Sequence, residues 1–369
     1  MTQQIQFDVL EKQFEELREQ TFKKVGTEDA NYIRKLIGFQ RLLDIVSRIG
    51  IACAFLFFDG YLMWSIATLS VLGLALSKIL DNMEIGHNIM HGQYDWMHDP
   101  ITNSKRFDWD NAGDSDSWRR YHNYEHHTYT NIIGKDRDFG YGLLRLSDNL
   151  KWRPKNLYQI ITYLNLSLLF EWGVAYHELA GERIFIGKKK ENSKLPISRL
   201  DLRNAFFKKA GKQILKDYIL FPLIFWPVAL PVLCCAIIAN ILRNLWTATI
   251  IFCGHFTEEA QTFDEESTKN ESKGQWYYRQ ILGSSNIEGS KLFHILTGHL
   301  SYQVEHHLFP DIPAPRYQEM APKVQEICRE HGIPYNTGSF GRQYWGVFKR
   351  IVKYSFPTSV TSQVKSIHN

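Results

Sequence analysis

Apolar residues gather in two blocks separated by a long, mostly polar stretch. The first runs from Leu42 to Leu80, and its cleanest part is Tyr61–Ser77, with the turn signal Asp59-Gly60 just before it. This predicts a helical hairpin, Leu42–Phe58 going out and Tyr61–Leu80 returning, each near the ~20 residues a bilayer requires. Asp44 and Arg48 leave only Ile49–Phe58 of the outgoing leg free of charge. The second block, Tyr218–Gly254, spans 37 residues with Arg243 as its one charge. At 1.5 Å per residue it would be ~55 Å of helix, close to two bilayer cores. Pro227 and Pro231 mark the expected fold-back, dividing it into Ile214–Leu230 and Val232–Gly254.

A third apolar segment, Asn156–Phe170, is uncharged but too short and too rich in Asn and Gln to span, so it reads as an interfacial or buried helix. Four spans place residues 1–41, 81–213 and 255–369 on one side, with the two hairpins at 42–80 and 214–254. Nearly all Lys and Arg fall on that side and none in the far turns, which marks it as cytoplasmic. The expected fold is therefore an all-α, multi-pass membrane protein: four transmembrane helices in two hairpins under a cytoplasmic helical cap, in a single domain over 1–369.

Composition sharpens this picture in a few respects. The mean hydropathy of -0.29 looks soluble, but it averages the two blocks with a large polar remainder. With 44% hydrophobic and 14% aromatic residues the chain is neither disordered nor collagen-like. A net charge of +4 gives no reason to expect nucleic acid. The five Cys form no CxxC pair, and four lie in apolar runs, so neither a disulfide framework nor a thiolate metal site follows. The polar, charged N-terminus does not read as a cleavable signal peptide.

Of the 14 His, eight are patterned. His87 and His91 form HNIMH just past the first hairpin; His122, His126 and His127 form HNYEHH; His306 and His307 close QVEHH behind Gln303; His255 follows the last span. Spacing of i and i+4 puts two imidazoles on one helical face, ready to chelate from a rigid backbone. Adjacent His on an α-helix point in different directions, so each doublet suits two neighbouring ions, one ring for each. Eight imidazoles and an amide also exceed the shell of one transition metal, making two ions the economical count. Imidazole alone fits Zn, Cu, Fe or Ni. Metal-bound His usually donates its second N–H to a carboxylate or carbonyl, for which Asp81, Glu84, Glu125, Asp136, Asp138 and Glu305 are near in sequence. His98, His177, His331 and His368 stand apart and read as bystanders.

HNIMHG, HNYEHHTYTN and GHLSYQVEHHLFPDIPAPRY, in this order around paired spans, resemble the three histidine boxes of the integral-membrane fatty acid desaturases. The branch they look most like is the bacterial acyl-CoA and linoleoyl-CoA desaturase-like group, whose third box begins with Gln, and the likeness covers roughly residues 40–330. It implies a mushroom-shaped protein with a diiron centre in a cytoplasmic cap, inserting a cis double bond into an acyl chain with O2 and two external electrons. It also implies two iron ions (Fe2+/Fe3+) held by His87, His91, His122, His126, His127, His306 and His307, with His255 as the additional ligand past the fourth span. Gln303 stands where stearoyl-CoA desaturases have His, leaving its ligation open; His299 and His294 are less favoured substitutes. Ile251 replaces the Asn that holds a water in those relatives.

Position, and not an acid or base, selects the C–H bond in such a reaction, so the acyl chain needs a dry, narrow tunnel. Trp64, Trp246, Thr249 and Cys253 are the expected lining, while Arg243 and Asn240 should face the bundle interior. Arg119, Arg120, Arg153 and Lys188, with the basic run to Lys190, offer a surface for the phosphates of an acyl-CoA or other acyl carrier. The sequence has no His-Pro-Gly-Gly haem motif, which implies a separate ferredoxin-like donor and its reductase. Two other readings share part of the pattern: a membrane diiron hydroxylase acting on alkane, sterol or carotenoid, and a polytopic metal transporter, which would need its ligands near the bilayer midplane.

Overall fold

The computed structural model describes residues 5–179 and 198–358. Helix α1 (Phe7–Phe22) leads to α2 (Thr27–Phe57), which starts well before the first apolar block because the polar stretch ahead of it is equally helix-compatible. The chain turns at Asp59-Gly60, where Gly60 takes φ +54°, and returns as α3 (Gly60–Ile79). A π-helical stretch, Leu80–His87, and a last turn, Asn88–Met90, continue α3 into an apolar helix of 31 residues. α2 and α3 pack closely through small residues. A Cβ on Gly50 would lie 2.3 Å from Ser70 Oγ, and one on Gly73 2.4 Å from Ser47 Oγ. Such small-residue contacts are how helices associate when no water is available to drive them together.

The second block divides slightly earlier than its prolines suggest. α4 (Gln159–Leu168) and α5 (Phe170–Glu178) come first, then α6 (Arg199–Ile214), a π-stretch Leu215–Leu220 and the turn Phe221–Ile224. The break falls at Phe225–Val228, and α7 (Ala229–His255) follows. Pro231 therefore sits in the first turn of α7, where its missing N–H would have had no partner anyway, and only Pro227 marks the bend. Two helices, Gly60–Met90 and Trp226–His255, are long and apolar enough to cross a membrane.

Charges within the bundle pair internally. Arg48 donates to Asp44 at 2.9 Å and to Asp217 at 3.0 Å, while Lys78 donates to Asp217 at 2.6 Å. Arg243 (1% exposed) pairs with Glu171, and Asn240 donates to Asp217 at 3.3 Å, so both face inward as expected. Removing one partner of such a pair strands a buried charge at a cost of about 3–5 kcal/mol.

α8 (Lys273–Leu282), α9 (Gln303–Leu308) and α10 (Tyr317–Glu330) follow α7 in the chain, and α11 (Phe340–Ser355) packs along α7. Among the described residues the strand pairing is a small parallel pair, Asn286–Glu288 with Thr337–Ser339, and a parallel bridge joins Ile132 to Phe263. Leu10, Phe14 and Leu17 of α1 join Tyr277, Tyr317, Val304 and Leu308 in one core, so the N-terminal helix braces the third histidine segment. Asn286 adds a polar brace: its Oδ1 accepts from Val304 N and its Nδ2 donates to Glu305.

Candidate metal centre

Four segments bring the patterned histidines together. His87 and His91 end the long α3 extension, His122 and His126 lie on a second π-helical stretch (Arg119–His126) with His127 just after it, His255 is the last residue of α7, and His306 and His307 lie on α9. The π-turn matters for the doublet. On an α-helix i and i+5 diverge, but a turn closed by i→i+5 hydrogen bonds lets i+4 and i+5 flank i on one face. His126 and His127 thereby both reach the cluster begun by His122, with their rings 5.6 Å apart and nearly perpendicular at 83°.

One group comprises His87, His91, His122 and His306, with a nitrogen from each within 4.8 Å of the others. A second comprises His126, His255 and His307, whose Nε2 atoms approach to 3.3 and 3.2 Å. His127 lies between them: its ring stacks on His307 at 4.4 Å and stands 4.9 Å from that of His306.

The outer contacts show which nitrogens are free. His126 Nδ1 donates to Asp136 at 3.0 Å, His122 Nδ1 to Asp138 at 3.1 Å and His307 Nδ1 to Gln280 Oε1 at 2.9 Å. Their Nε2 atoms therefore carry lone pairs. Nε2 of His91, His122 and His306, and both ring nitrogens of His127, are buried without a hydrogen-bond partner. Such orphans are costly in a protein interior. Burial, then repulsion by the neighbouring rings, pushes His127, His306 and His307 well below the usual histidine range, so these rings stay neutral. Burial acts the same way on His126, but the charge and hydrogen bond of Asp136 outweigh it and raise its pKa. Converging imidazole lone pairs, those of His87, His122, His126 and His307 oriented from behind, fit transition-metal cations.

Gln303 reaches the second group, its side-chain amide 2.9 Å from His255 Nε2. Oε1 has no partner, and since amide orientation is assigned from contacts, a flip would present oxygen to the same point. Gly254 leaves room for it: a Cβ there would lie 2.8 Å from Gln303 Oε1. His294 is occupied at both nitrogens, by Ser301 Oγ at 2.7 Å and Tyr302 OH at 3.3 Å, and His299 is turned to Glu84 at 2.8 Å. Neither joins the metal-binding groups. Of the six acids named from sequence, Asp136 and Asp138 back the cluster. Glu84 holds His299 and Tyr32, Glu305 holds Asn286 and Tyr335, and Asp81 accepts from Asp110 N.

Residues 34–339 match the family model described as fatty acid desaturase. The chain belongs to the fatty acid desaturase family. It is 40% identical over 336 residues, 90% of this chain and 76% of the relative, to an NADPH-dependent stearoyl-CoA 9-desaturase of Mycobacterium tuberculosis. It is 27% identical to an sn-1 linoleoyl-lipid 6-desaturase of Synechocystis, over 81% of this chain and 83% of that one, and 27% identical to a delta(5) fatty acid desaturase of Dictyostelium discoideum over 71% of this chain. The protein is thus an oxidoreductase, a fatty acyl desaturase, which removes the hydroxylase and transporter readings.

A narrow cavity of about 60 Å³ opens from the desaturase's histidine cluster into the bundle. Its lining includes His87, His122, His126, His255 and Gln303, the apolar Met83, Phe170, Val174, Ile251 and Leu300, and the polar Asn82, Asn111, Glu171, Arg243, Asn244 and Thr247. The contributing stripe of α7 is Arg243, Thr247, Ile251 and His255, spaced by four. Trp246, Thr249 and Cys253, expected from sequence, lie on other faces. Trp246 packs on Phe293 and Phe340, Cys253 is in the core behind the cavity, and Trp64 is 61% exposed on the outside of α3 against Phe55. At 100° per residue a one-position change turns a side chain away, and several faces of α7 carry aromatic or polar residues; the face partnered by α5 and α3 became the lining.

Of the basic residues expected at a head group, two are engaged locally. Arg119 is bound to Ser104 O at 2.7 Å, to Phe107 O and to Asp116, holding the 104–116 loop, and Arg120 donates to Ser117 at 3.0 Å. Arg153 is exposed, and Lys188 lies outside the described residues. Sequence reading missed Gln280 behind His307, Asn88 behind His87 (3.1 Å), Trp118 stacked on His122 at 4.5 Å, and His177, whose Nε2 is 3.5 Å from Asp138. Asn88, next to His87, and Trp118, four residues before His122, were the ones of these with a local signal.

Proposed function

We propose that this desaturase introduces a cis double bond into a long-chain acyl-CoA, using O2 and two electrons that pass from NADPH through a separate ferredoxin-like donor and its reductase. Acyl-CoA and NADPH are supported by the mycobacterial relative, an NADPH-dependent stearoyl-CoA 9-desaturase. His87, His91, His122 and His306 hold one iron, and His126, His255 and His307 the other, with His127 between them and Gln303 at the second ion. The single observation carrying this reading is the convergence of two sets of buried imidazole nitrogens beside one cavity that runs into the bundle. Diiron sites of this kind, when loaded, supply the redox chemistry with O2 that breaks unactivated C–H bonds.

The chain's own residues decide which bond is exposed to that chemistry. Met83, Phe170, Val174, Ile251 and Leu300 exclude water and keep the methylenes extended; His87, His122 and His255 border the place where two adjacent carbons lie. Asp136 and Asp138 hold the His126 and His122 rings with their Nε2 lone pairs inward. The protein is anchored by four spans. α2 and the leg ending at Ile224 join the two apolar helices, their charges Arg48 and Asp217 being turned into the bundle, and the histidine cluster faces the cytoplasm.

Purified protein should contain two irons. Anaerobic reduction with a ferredoxin system, addition of O2, and mass spectrometry of products from a panel of acyl-CoAs should show loss of two hydrogens. One zinc with no iron, or an acyl product that has gained oxygen, would overturn the proposal.

A further inference from the structure

α11 (Phe340–Ser355) shows an outer face unlike that of an ordinary cap helix. Its inner face buries Gln343, Gly346, Val347, Arg350, Ile351 and Tyr354, a regular i, i+3, i+4, i+7 stripe, and Ser355 is also buried at the helix end. With successive residues 100° apart, the rest of the surface divides into two arcs. Tyr344, Val352, Phe348 and Trp345 occupy an apolar arc about 100° wide, and Lys349, Arg342 and Lys353 cluster beside it. Trp345 is 58% exposed, and its ring stacks on that of Phe348. Phe356 continues the apolar side past the helix end. Two of the cations are directed to cap acids, Arg342 to Glu259 at 2.8 Å and Lys349 to Glu258.

Next to it α4 (Gln159–Leu168) exposes Ile161, Leu164 and Leu168 and is joined to α11 by Gln159 Nε2 donating to Ile351 O at 2.5 Å. Both helices pack on α7, one of the two membrane-length helices. The start of α11 is fixed by depth as well. Phe340 lies 6.2 Å from Trp246, which is nine residues before His255 and so ~14 Å from it along the helix axis, on the apolar side of the histidine cluster. An apolar, aromatic-rich arc flanked by cations and continuous with an apolar helix is the pattern of a helix lying in the membrane plane.

We propose that the outer faces of α11 and α4 are seated on the bilayer as an in-plane platform, with Trp345 and Phe348 at the headgroup–acyl boundary and no span involved. The inner face of the same helix carries a functional consequence. Arg350 donates to the carbonyls of Leu146, Thr257 and Ala260, and Gln343 donates to that of Asn286, which itself braces the third histidine box.

The test places an environment-sensitive fluorophore on Trp345→Cys in the full-length protein, with the exposed Cys234 and half-buried Cys53 changed to Ala, reconstituted into phosphatidylcholine nanodiscs. Exposure of position 345 makes loss of fold by this change unexpected, and circular dichroism checks it. Spin-labelled lipids with the label near the headgroup should quench the probe several-fold more than lipids labelled near the chain terminus, since such helices sit about 5–10 Å deep. A probe at Glu330→Cys, on the exposed end of α10, should be little affected. Equal quenching at positions 345 and 330 would overturn the proposal. So would a probe at 345 that is insensitive to lipid but self-quenches with protein density, which would assign this face to a second copy of the chain. Iron content and acyl desaturation, measured separately on the same variant, would distinguish failure of this platform from failure of the desaturase reading.

Discussion

Replacing Asp136 with Asn changes one atom in the wall behind the metal centre and isolates what that wall does. Asp136 is buried, and each carboxylate oxygen is already committed: Oδ1 accepts from Asp138 N at 2.9 Å and Oδ2 from Asn131 N at 2.7 Å, while both lie within 3.1 Å of His126 Nδ1. An Asn must turn its NH2 toward one of those backbone N–H groups, so one buried donor faces another. That conflict costs about 1–3 kcal/mol. The second effect falls on His126, which loses the negative charge that raises its basicity and fixes Nδ1 as the protonated nitrogen. Losses of this kind lower metal affinity about 10–100-fold. The expectation for Asp136→Asn is a lower thermal midpoint in detergent and a weaker second metal site with the first nearly unchanged, read by titrating the metal-free protein with cobalt(II) against a competing chelator. Two sites of unchanged affinity together with an unchanged melting point would refute the reasoning.

Other consequences are equally direct. His87→Ala and His255→Ala should each remove about one equivalent of bound iron, measured by elemental analysis, because they belong to different nitrogen groups; loss of both ions from either variant would argue against separable sites. Thr247→Trp, which fills the cavity one turn from Arg243, should shift activity toward shorter acyl-CoAs while leaving the double-bond position counted from the thioester unchanged, as product mass spectrometry would show. The metal-free protein should be sensitive to acid. His127, His306 and His307 have lowered pKa values when folded, so below the unfolded histidine value of about 6.5 the unfolded chain binds more protons, and stability falls by up to about 1.4 kcal/mol per pH unit for each ring. Denaturation midpoints should stay level above pH 6.5 and drop steeply below it; a flat profile down to pH 5 would contradict the buried, neutral state of these rings.

The sequence by itself determined the parts that depend on local period and residue type. The apolar runs were long enough to define the helices of both blocks, and the turn at Asp59-Gly60 falls where a glycine at φ +54° is needed. Eight histidines could be separated from fourteen because ligand residues come from short rigid segments and so keep a readable spacing. Tertiary structure decided what depends on which faces meet. The π-turn that lets His126 and His127 serve one site is set by packing and is invisible to a rule based on α-helical spacing. The α7 stripe lining the cavity became Arg243, Thr247 and Ile251, instead of Trp246, Thr249 and Cys253, because rotating a helix by one residue costs little locally and is fixed only by its neighbours. Gln280 and Asn286 brace the third box across 27 and 19 residues of chain, and Arg119 became a loop clasp instead of a free cation. Contacts between distant segments follow from the free energy of the whole assembled core, and a linear pattern contains only the local share of it.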